Sequence, residues 1–271
     1  MKRLVNKLKY LPLLLAGLLL GACEETIAPG DRYKPAPTQP ERTVLVEEYT
    51  GMECPNCVDG HDALGQIETL YNTPANLEAG IGVIAVGIHI PVFGYPVEEG
   101  GLVTPEASQL APGQTQAPAA RINRRGEVAG LAEGTWMATV AREIERPTSV
   151  TFTPVRCDVA DGKVTVSGSV NSSSSAEISA TLHVWILEDG IVNYQSDHGS
   201  YIDEYVHNNV YRASVNGLAG EAVKIVPRGT LAYETSMPLN AAWNPEKLRA
   251  VVFLETPDGV LNAAQGAAIT E

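Results

Sequence analysis

Two cysteines two residues apart, in the sequence CPNC at 54–57, constrain the fold more than any other feature of this chain. The run TVLVEEY (43–49) before them is β-branched and apolar and predicts a strand, and the run at 58–71 after them has apolar residues at helical spacing. Proline suits the first position of a helix, so Cys54 is expected at the helix N-terminus and Cys57 one turn on. Backbone amides and the helix dipole stabilise a thiolate there, which predicts a redox pair.

Two other roles remain open for the cysteine pair. It can be a stable structural disulfide without exchange chemistry. It can also belong to a metal site, because His61 extends the motif to C-x2-C-x3-H. A closed zinc site needs four ligands, and no fourth is apparent nearby, so we expect neither a metal nor another cofactor.

The N-terminus reads as an export signal. Residues 1–22 combine a basic head with the apolar run LPLLLAGLLLGA, which is too short to span a membrane comfortably. The run ends in LGAC, which is similar to the bacterial lipobox, so Cys23 is the expected site of lipidation by acyl chains such as palmitate. The alternative is a signal peptide that happens to end beside a cysteine. The residues at 23–41, rich in proline and charge, suit a lipidated cysteine followed by a flexible linker.

Charge excludes some partners. The net charge of −13 argues against nucleic-acid binding and against a basic patch on anionic lipid, so the expected membrane partner is reached through the lipid anchor alone. Export places the cysteines in a compartment where a disulfide persists. The sequence contains no GxSxG elbow, Walker loop or HExxH motif, which leaves hydrolase and nucleotide-binding functions without support.

The pattern changes near residue 148. Between 42 and 147 it alternates between strand and helix, with a continuous apolar run at 81–90, a hairpin at 118–130 and a helix at 132–146. From 148 to 271 it consists of short strands with Asp-Gly turns, which is typical of an antiparallel sandwich. We therefore predict two domains of different class, one α/β and one all-β.

Residues 43–146 resemble the thioredoxin fold. Glu48, six residues before Cys54, matches the buried carboxylate of thioredoxins and would accept a proton from the resolving cysteine. Pro118, preceded by Ala117, matches the cis-proline that docks an extended substrate chain. His89 ends the buried strand, where parallel sheets place their sites, and is a candidate substrate contact or proton donor; a structural role is equally open.

Some features depart from thioredoxin. Met52 and Glu53 stand where thioredoxins carry a tryptophan, and acidic residues around the motif would oppose a thiolate at Cys54 by charge repulsion. Cys157, in a predicted strand, is interpreted as an ordinary core cysteine. The stretch EYVHNNVYRA at 204–213 could form a binding face, but its asparagine pair is more typical of a turn.

Across 40–271 the chain resembles the outer-membrane-protein-28-related lipoproteins, through the lipobox, EEYTGMECPNC, PAARINR and the β-rich tail. The resemblance implies an outer-membrane lipoprotein with a thioredoxin-like domain at 42–147 and an immunoglobulin-like antiparallel β-sandwich at 148–271. Whether it faces the periplasm or the cell surface stays open.

Two functions fit this organisation. In the first, the protein exchanges thiols and disulfides with exported proteins: Cys54 attacks, Cys57 resolves, Glu48 moves the proton, and Pro118 docks the substrate. In the second, it is a non-enzymatic surface lipoprotein for adhesion or assembly, with a structural disulfide. The first predicts an exposed Cys54 sulphur; the second predicts a buried disulfide and an exposed apolar patch on 148–271.

Overall fold

Strands dominate this computed structural model, which describes residues 42–132 and 134–270. The predicted signal peptide at 1–22, Cys23 and the linker up to residue 41 lie outside the described residues. No helix in the described part of the chain is long and apolar enough to cross a membrane.

The helices are α1 Cys57–Tyr71, α2 Pro74–Glu78, α3 Ala107–Leu110 and α4 Thr135–Ile144, with short 3-10 turns at Pro91–Phe93, Val97–Glu99 and Pro245–Lys247. The strands are β1 Thr43–Thr50, β2 Gly82–His89, β3 Ala119–Ile122, β4 Ala129–Gly130, β5 Val150–Phe152, β6 Arg156–Ala160, β7 Lys163–Ser172, β8 Ile178–Glu188, β9 Ile191–Asp197, β10 Ser200–His207, β11 Val210–Ser214, β12 Glu221–Ile225, β13 Thr230–Pro238, β14 Leu248–Thr256 and β15 Gly259–Thr270.

The N-terminal part follows the sequence pattern. β1 pairs in parallel with β2 and antiparallel with β3, and β3 pairs antiparallel with β4, so the predicted hairpin at 118–130 forms. Every residue of β2 is buried, as the apolar run at 81–90 predicted. The helix predicted at 132–146 is α4, which buries Trp136 and Val140.

A single mixed sheet runs through the described residues, in the order β13-β7-β6-β15-β14-β8-β11-β2-β1-β3-β4. The two halves of the chain join in it where Val210 of β11 pairs with Gly87 of β2. The fold is therefore mixed and mostly β. The described residues belong to one compact unit, and the domain boundary near 148 stays a prediction.

Three apolar cores lie on the faces of this sheet. One packs α1 and α4 on β1 and β2. A second packs the other face of β1 and β2 against β8 and β14. The third packs the remaining face of β8 and β14 against β6 and β7. Trp243 lies in the third core, whereas Trp185 lies in the second because β8 is buried on both faces.

Not all of the three predicted Asp-Gly turns connect strands that pair with each other. Those at 161–162 and 258–259 join paired antiparallel strands, as predicted. The turn at 189–190 does not, because β9 pairs with β10 rather than with β8. It leads the chain into a separate two-stranded hairpin, residues 191–207, which we call the covering hairpin.

Candidate functional site

The motif cysteines are joined: Cys54 and Cys57 form a disulfide with their Cα atoms 5.4 Å apart. The predicted pairing is therefore present. Because both sulphurs are in this bond, neither is a thiolate ligand in this state. Within 42–132 and 134–270, no group of three or more His, Cys, Asp or Glu side chains is arranged to hold a metal ion.

The helix after the motif begins later than the sequence predicted. α1 starts at Cys57, and the Cys57 amide donates to the Cys54 carbonyl oxygen at 3.3 Å within a turn. Pro55 suits this turn as well as a first helical position, because its φ is fixed and it has no N–H to satisfy. Cys57, not Cys54, therefore stands at the helix N-terminus.

The covering hairpin lies over the disulfide, and both cysteines are 0% exposed. The Ser196 amide donates to the Met52 carbonyl oxygen at 2.7 Å, and the His198 amide donates to the Pro55 carbonyl oxygen at 2.8 Å. The side-chain amide of Gln195 donates to two more carbonyl oxygens of the motif loop, on Gly51 and on the first cysteine, at 3.2 and 3.1 Å.

Glu53 accepts two hydrogen bonds from the covering hairpin. The Tyr194 hydroxyl donates to Glu53 Oε1 at 2.7 Å, and the Tyr201 hydroxyl donates to Oε2 at 3.1 Å. Glu47, another acid near the motif, is paired with Arg124 at 2.8 Å on the other side of the strand. Glu47 and Glu53, two of the acids near the cysteines, are thus engaged in structural contacts.

Glu48 is buried beneath the motif, with 3% exposure and no hydrogen-bond partner for Oε1. Burial, with a smaller contribution from Glu68, raises the pKa of Glu48 well above its ordinary value. A Cβ at Gly60 would lie 2.7 Å from Glu48 Oε1 and 2.7 Å from the Cβ of Pro118. The absence of a side chain at Gly60 thus allows both residues to approach α1.

A groove of about 530 Å³ separates the motif from the cis-proline turn. Asn56 and Asp59 line one side, and Ala117 and Pro118, whose peptide bond is cis, line the other. Glu48 and Pro118 both lie close to Gly60 in the first turn of α1. Their roles in proton transfer and docking remain predictions.

His89 lies elsewhere, in a cavity of about 450 Å³ between β1, β2, α1 and the covering hairpin. It contacts His207 with ring centroids 5.5 Å apart, and its Nδ1 has no hydrogen-bond partner. Burial, followed by repulsion from neighbouring cationic groups, lowers the pKa of His89 well below its ordinary value. His61 lines the same cavity and forms hydrogen bonds with Thr50 and Tyr205.

Sequence reasoning missed the contribution of β10. Tyr205 and His207 face this cavity together with the asparagine pair that follows, although the stretch was interpreted mainly as a turn. The sequence signal was the two-residue spacing of Tyr205 and His207, which places both side chains on the same face of a strand. Cys157, by contrast, is an ordinary core residue in β6, and burial raises the pKa of its thiol to about 11.

These observations define a mostly β protein whose α/β portion carries a disulfide covered by a hairpin from the β-rich portion. The family model of outer membrane protein Omp28 matches residues 106–271, and the chain belongs to that family. Membership supports an outer-membrane location. The matched range begins after the cysteine motif, so the match carries no information about the disulfide.

The fold is similar to that of a solved structure. HBP35 of Porphyromonas gingivalis is similar with a TM-score of 0.66 and 13% identity, covering 84% of this chain and 76% of its own. A domain of the outer membrane lipoprotein Omp28 from the same organism matches 46% of this chain and 93% of its own, with 14% identity and a TM-score of 0.33. No curated protein sequence matches the chain.

Proposed function

We propose that this protein is a non-enzymatic outer-membrane lipoprotein, tethered through lipidated Cys23, that serves as a binding or assembly module. The observation that carries the proposal is the burial of the Cys54–Cys57 disulfide, at 0% exposure, beneath the covering hairpin. Exchange requires a thiolate to reach a disulfide sulphur, and no such approach is open in this arrangement.

The disulfide fits a structural role. It closes the short loop whose carbonyl oxygens, on Met52, Cys54 and Pro55, accept hydrogen bonds from the covering hairpin. Because the hairpin does not pair with the main sheet, these bonds are a substantial part of its attachment. A cross-link that holds the acceptors in place therefore stabilises the position of the hairpin.

Exposed apolar residues support a binding role for the C-terminal half. Val192 and Val206 are exposed and stand opposite each other on the covering hairpin, and Tyr201 is exposed on the same hairpin. Grouped apolar side chains on a surface commonly mark an interaction site.

A second candidate function is thiol–disulfide exchange with exported proteins, as in a thioredoxin-like domain at 42–147 joined to an immunoglobulin-like one at 148–271. The observation that favours it is the buried carboxyl of Glu48 beside α1, whose Oε1 has no hydrogen-bond partner, with a groove between Asn56 and Pro118. In this candidate the covering hairpin has to lift before Cys54 reacts.

The reduction potential separates the two candidates. The full-length protein in nonionic detergent micelles is equilibrated with glutathione redox buffers, thiols are trapped, and the peptides that carry Cys54 and Cys57 are quantified by mass. A potential below about −300 mV is expected for a structural disulfide. A potential between about −120 and −270 mV, the range of working oxidoreductases, would overturn the proposal in favour of exchange.

A further inference from the structure

The cavity around His89 contains three histidines, His61, His89 and His207, that the proposed function does not use. Its volume is about 450 Å³, which lies in the usual range for small-molecule sites. β1 and β2 form its floor, α1 one wall and the covering hairpin the other. Its lining shares no residue with that of the groove between Asn56 and Pro118.

Two residues that line the cavity carry buried polar atoms without partners. Glu48 Oε1 and His89 Nδ1 are both without a hydrogen bond, in side chains that are 3% and 4% exposed. Buried polar atoms are almost always hydrogen-bonded, so two orphans in one cavity call for an explanation. A bound group with N–H donors would satisfy both, because a carboxyl oxygen and an unprotonated imidazole nitrogen are acceptors.

The imidazoles in the cavity do not repel a cation. Burial lowers the pKa of His61 and of His207 to about 4, and that of His89 well below its ordinary value, so all three are neutral near pH 7. With Tyr205, whose ring centroid is 4.9 Å from that of His207, they provide aromatic surfaces. The faces of such rings attract cations.

Charge at the cavity has one sign. Asp62 and Glu68 of α1 and Asp189 before the covering hairpin line it, and among its described lining residues none is Lys or Arg. The nearest cations are already paired: Arg249 with Asp189 at 3.0 Å, and Arg212 with Glu188 at 3.3 Å. The resulting field favours a positively charged ligand.

We propose that this cavity binds a small organic cation, with an alkylammonium or guanidinium head that donates to Glu48 and His89 and lies against the rings of Tyr205 and His207. The carboxylates of Asp62 and Glu68 attract and hold the charge, whereas that of Asp189 is already paired with Arg249. The proposal goes beyond the proposed function and does not depend on whether the disulfide is structural or exchanging.

The test uses n-butylammonium as the probe, with 1-pentanol, which is one methylene longer, as a neutral analogue and butyrate as an anionic one. Full-length protein with isotope-labelled histidine, in nonionic micelles, is titrated at pH 7.5 and followed by the ring signals of His89 and His207. We expect saturable shifts with butylammonium and an affinity at least about tenfold higher than for pentanol, since a desolvated charge pair contributes more than about 1.4 kcal/mol.

Variants connect the binding to the carboxylates. Glu68→Gln is expected to weaken butylammonium binding about three- to fivefold, the usual effect of one partly exposed charge. Glu234→Gln removes the same charge from an exposed position on β13, outside the cavity, and is expected to leave binding unchanged. Three outcomes would each overturn the proposal. The first is equal affinity for butylammonium and pentanol, and the second is an equal effect of the two variants on butylammonium binding. The third is a shift of the histidine ring signals with Zn²⁺ but not with butylammonium.

Discussion

Gln195 and Cys54 are 141 positions apart in the chain, yet the Gln195 side-chain amide donates to the Cys54 carbonyl oxygen at 3.1 Å. The glutamine is fully buried, and the same nitrogen also donates to the carbonyl oxygens of Gly51 and Ser196. One side chain thus connects the covering hairpin to the loop that the disulfide closes.

Replacing Gln195 by alanine should therefore expose the disulfide. Gln195→Ala leaves buried carbonyl oxygens without a donor, and we expect it to lower the free energy of unfolding by about 1–3 kcal/mol. Reduction of the disulfide by dithiothreitol should become faster, as measured by trapping and mass analysis. Asn193→Ala is the control, because its side chain on the same strand donates to Gly100 instead. Equal reduction rates in both variants would contradict the role assigned to Gln195.

Arg124 joins the two halves of the chain. It pairs with Glu47 at 2.8 Å and with Glu255 at 2.6 Å, and its guanidinium lies 5.2 Å and 4.9 Å from the ring centroids of Trp185 and Phe253. Arg124→Met leaves a buried carboxylate unpaired and should cost about 3–5 kcal/mol in urea unfolding.

The double variant Arg124→Met with Glu47→Gln removes the uncompensated charge as well. It should recover part of that loss, because the penalty comes mainly from a buried carboxylate without a partner. A single variant that costs less than about 1 kcal/mol would show that the pair behaves like a surface salt bridge.

Acid should destabilise the protein through its buried histidines. Burial lowers the pKa of His61 and of His207 from 6.5 to about 4, so between these values they are neutral when folded and charged when unfolded. The unfolded state then binds more protons, and the free energy of unfolding should fall as pH falls through this window, by up to about 1.4 kcal/mol per pH unit for each histidine.

Glu48 acts in the opposite sense. Its pKa is raised from 4.5, so its stabilising contribution is complete below 4.5 and is lost as pH rises toward its folded pKa. Urea titrations from pH 7 to pH 4 should give a flatter dependence for His207→Gln and a steeper fall on acidification for Glu48→Gln. The exposed His198→Gln is the control, and a slope in His207→Gln equal to that of the unchanged protein would refute the assignment.

Gly60 and Gly65 of α1 provide a matched pair of alanine substitutions with opposite expected effects on stability. Gly65 has open space where a Cβ would stand, so Gly65→Ala should stabilise the protein by about 0.5–1 kcal/mol through helix propensity. Gly60→Ala should destabilise it, because the new Cβ would meet Glu48 and Pro118 at 2.7 Å. Thermal or urea unfolding measures both. A stabilising Gly60→Ala would mean that the helix shifts freely away from these residues.

The lipid anchor at Cys23 is tested by localisation. Cys23→Ser removes the acylated thiol, and a single acyl chain contributes about 0.8 kcal/mol per buried methylene. We expect the variant to leave the membrane fraction on cell fractionation and to lose the mass of its acyl chains. Retention of the variant in that fraction would exclude Cys23 as the anchor.

The sequence predicted those elements that depend only on residues close to one another in the chain. The apolar run at 81–90 is buried along its length, and the hairpin at 118–130 forms where glycine and small residues mark it. Both follow from periodicity and turn chemistry over a few residues.

The sequence did not predict what depends on distant contacts. Nothing near CPNC indicates that Ser196 and His198 donate to its carbonyl oxygens, and the turn at 189–190 looks like any other Asp-Gly hairpin turn. The exposure of a cysteine is decided by packing across the whole chain. The sequence could therefore identify the disulfide but not its burial.

The covering hairpin also sets an order of events. The cysteines occur about 140 positions before the residues that cover them, so a chain that emerges from a translocon N-terminus first presents both thiols before their cover exists. Oxidation is expected mainly in that interval, since folding then buries the sulphurs and slows their reaction with an oxidant. A chain that folds while still reduced would oxidise only as the hairpin opens, so oxidant supply during secretion would strongly affect which form accumulates.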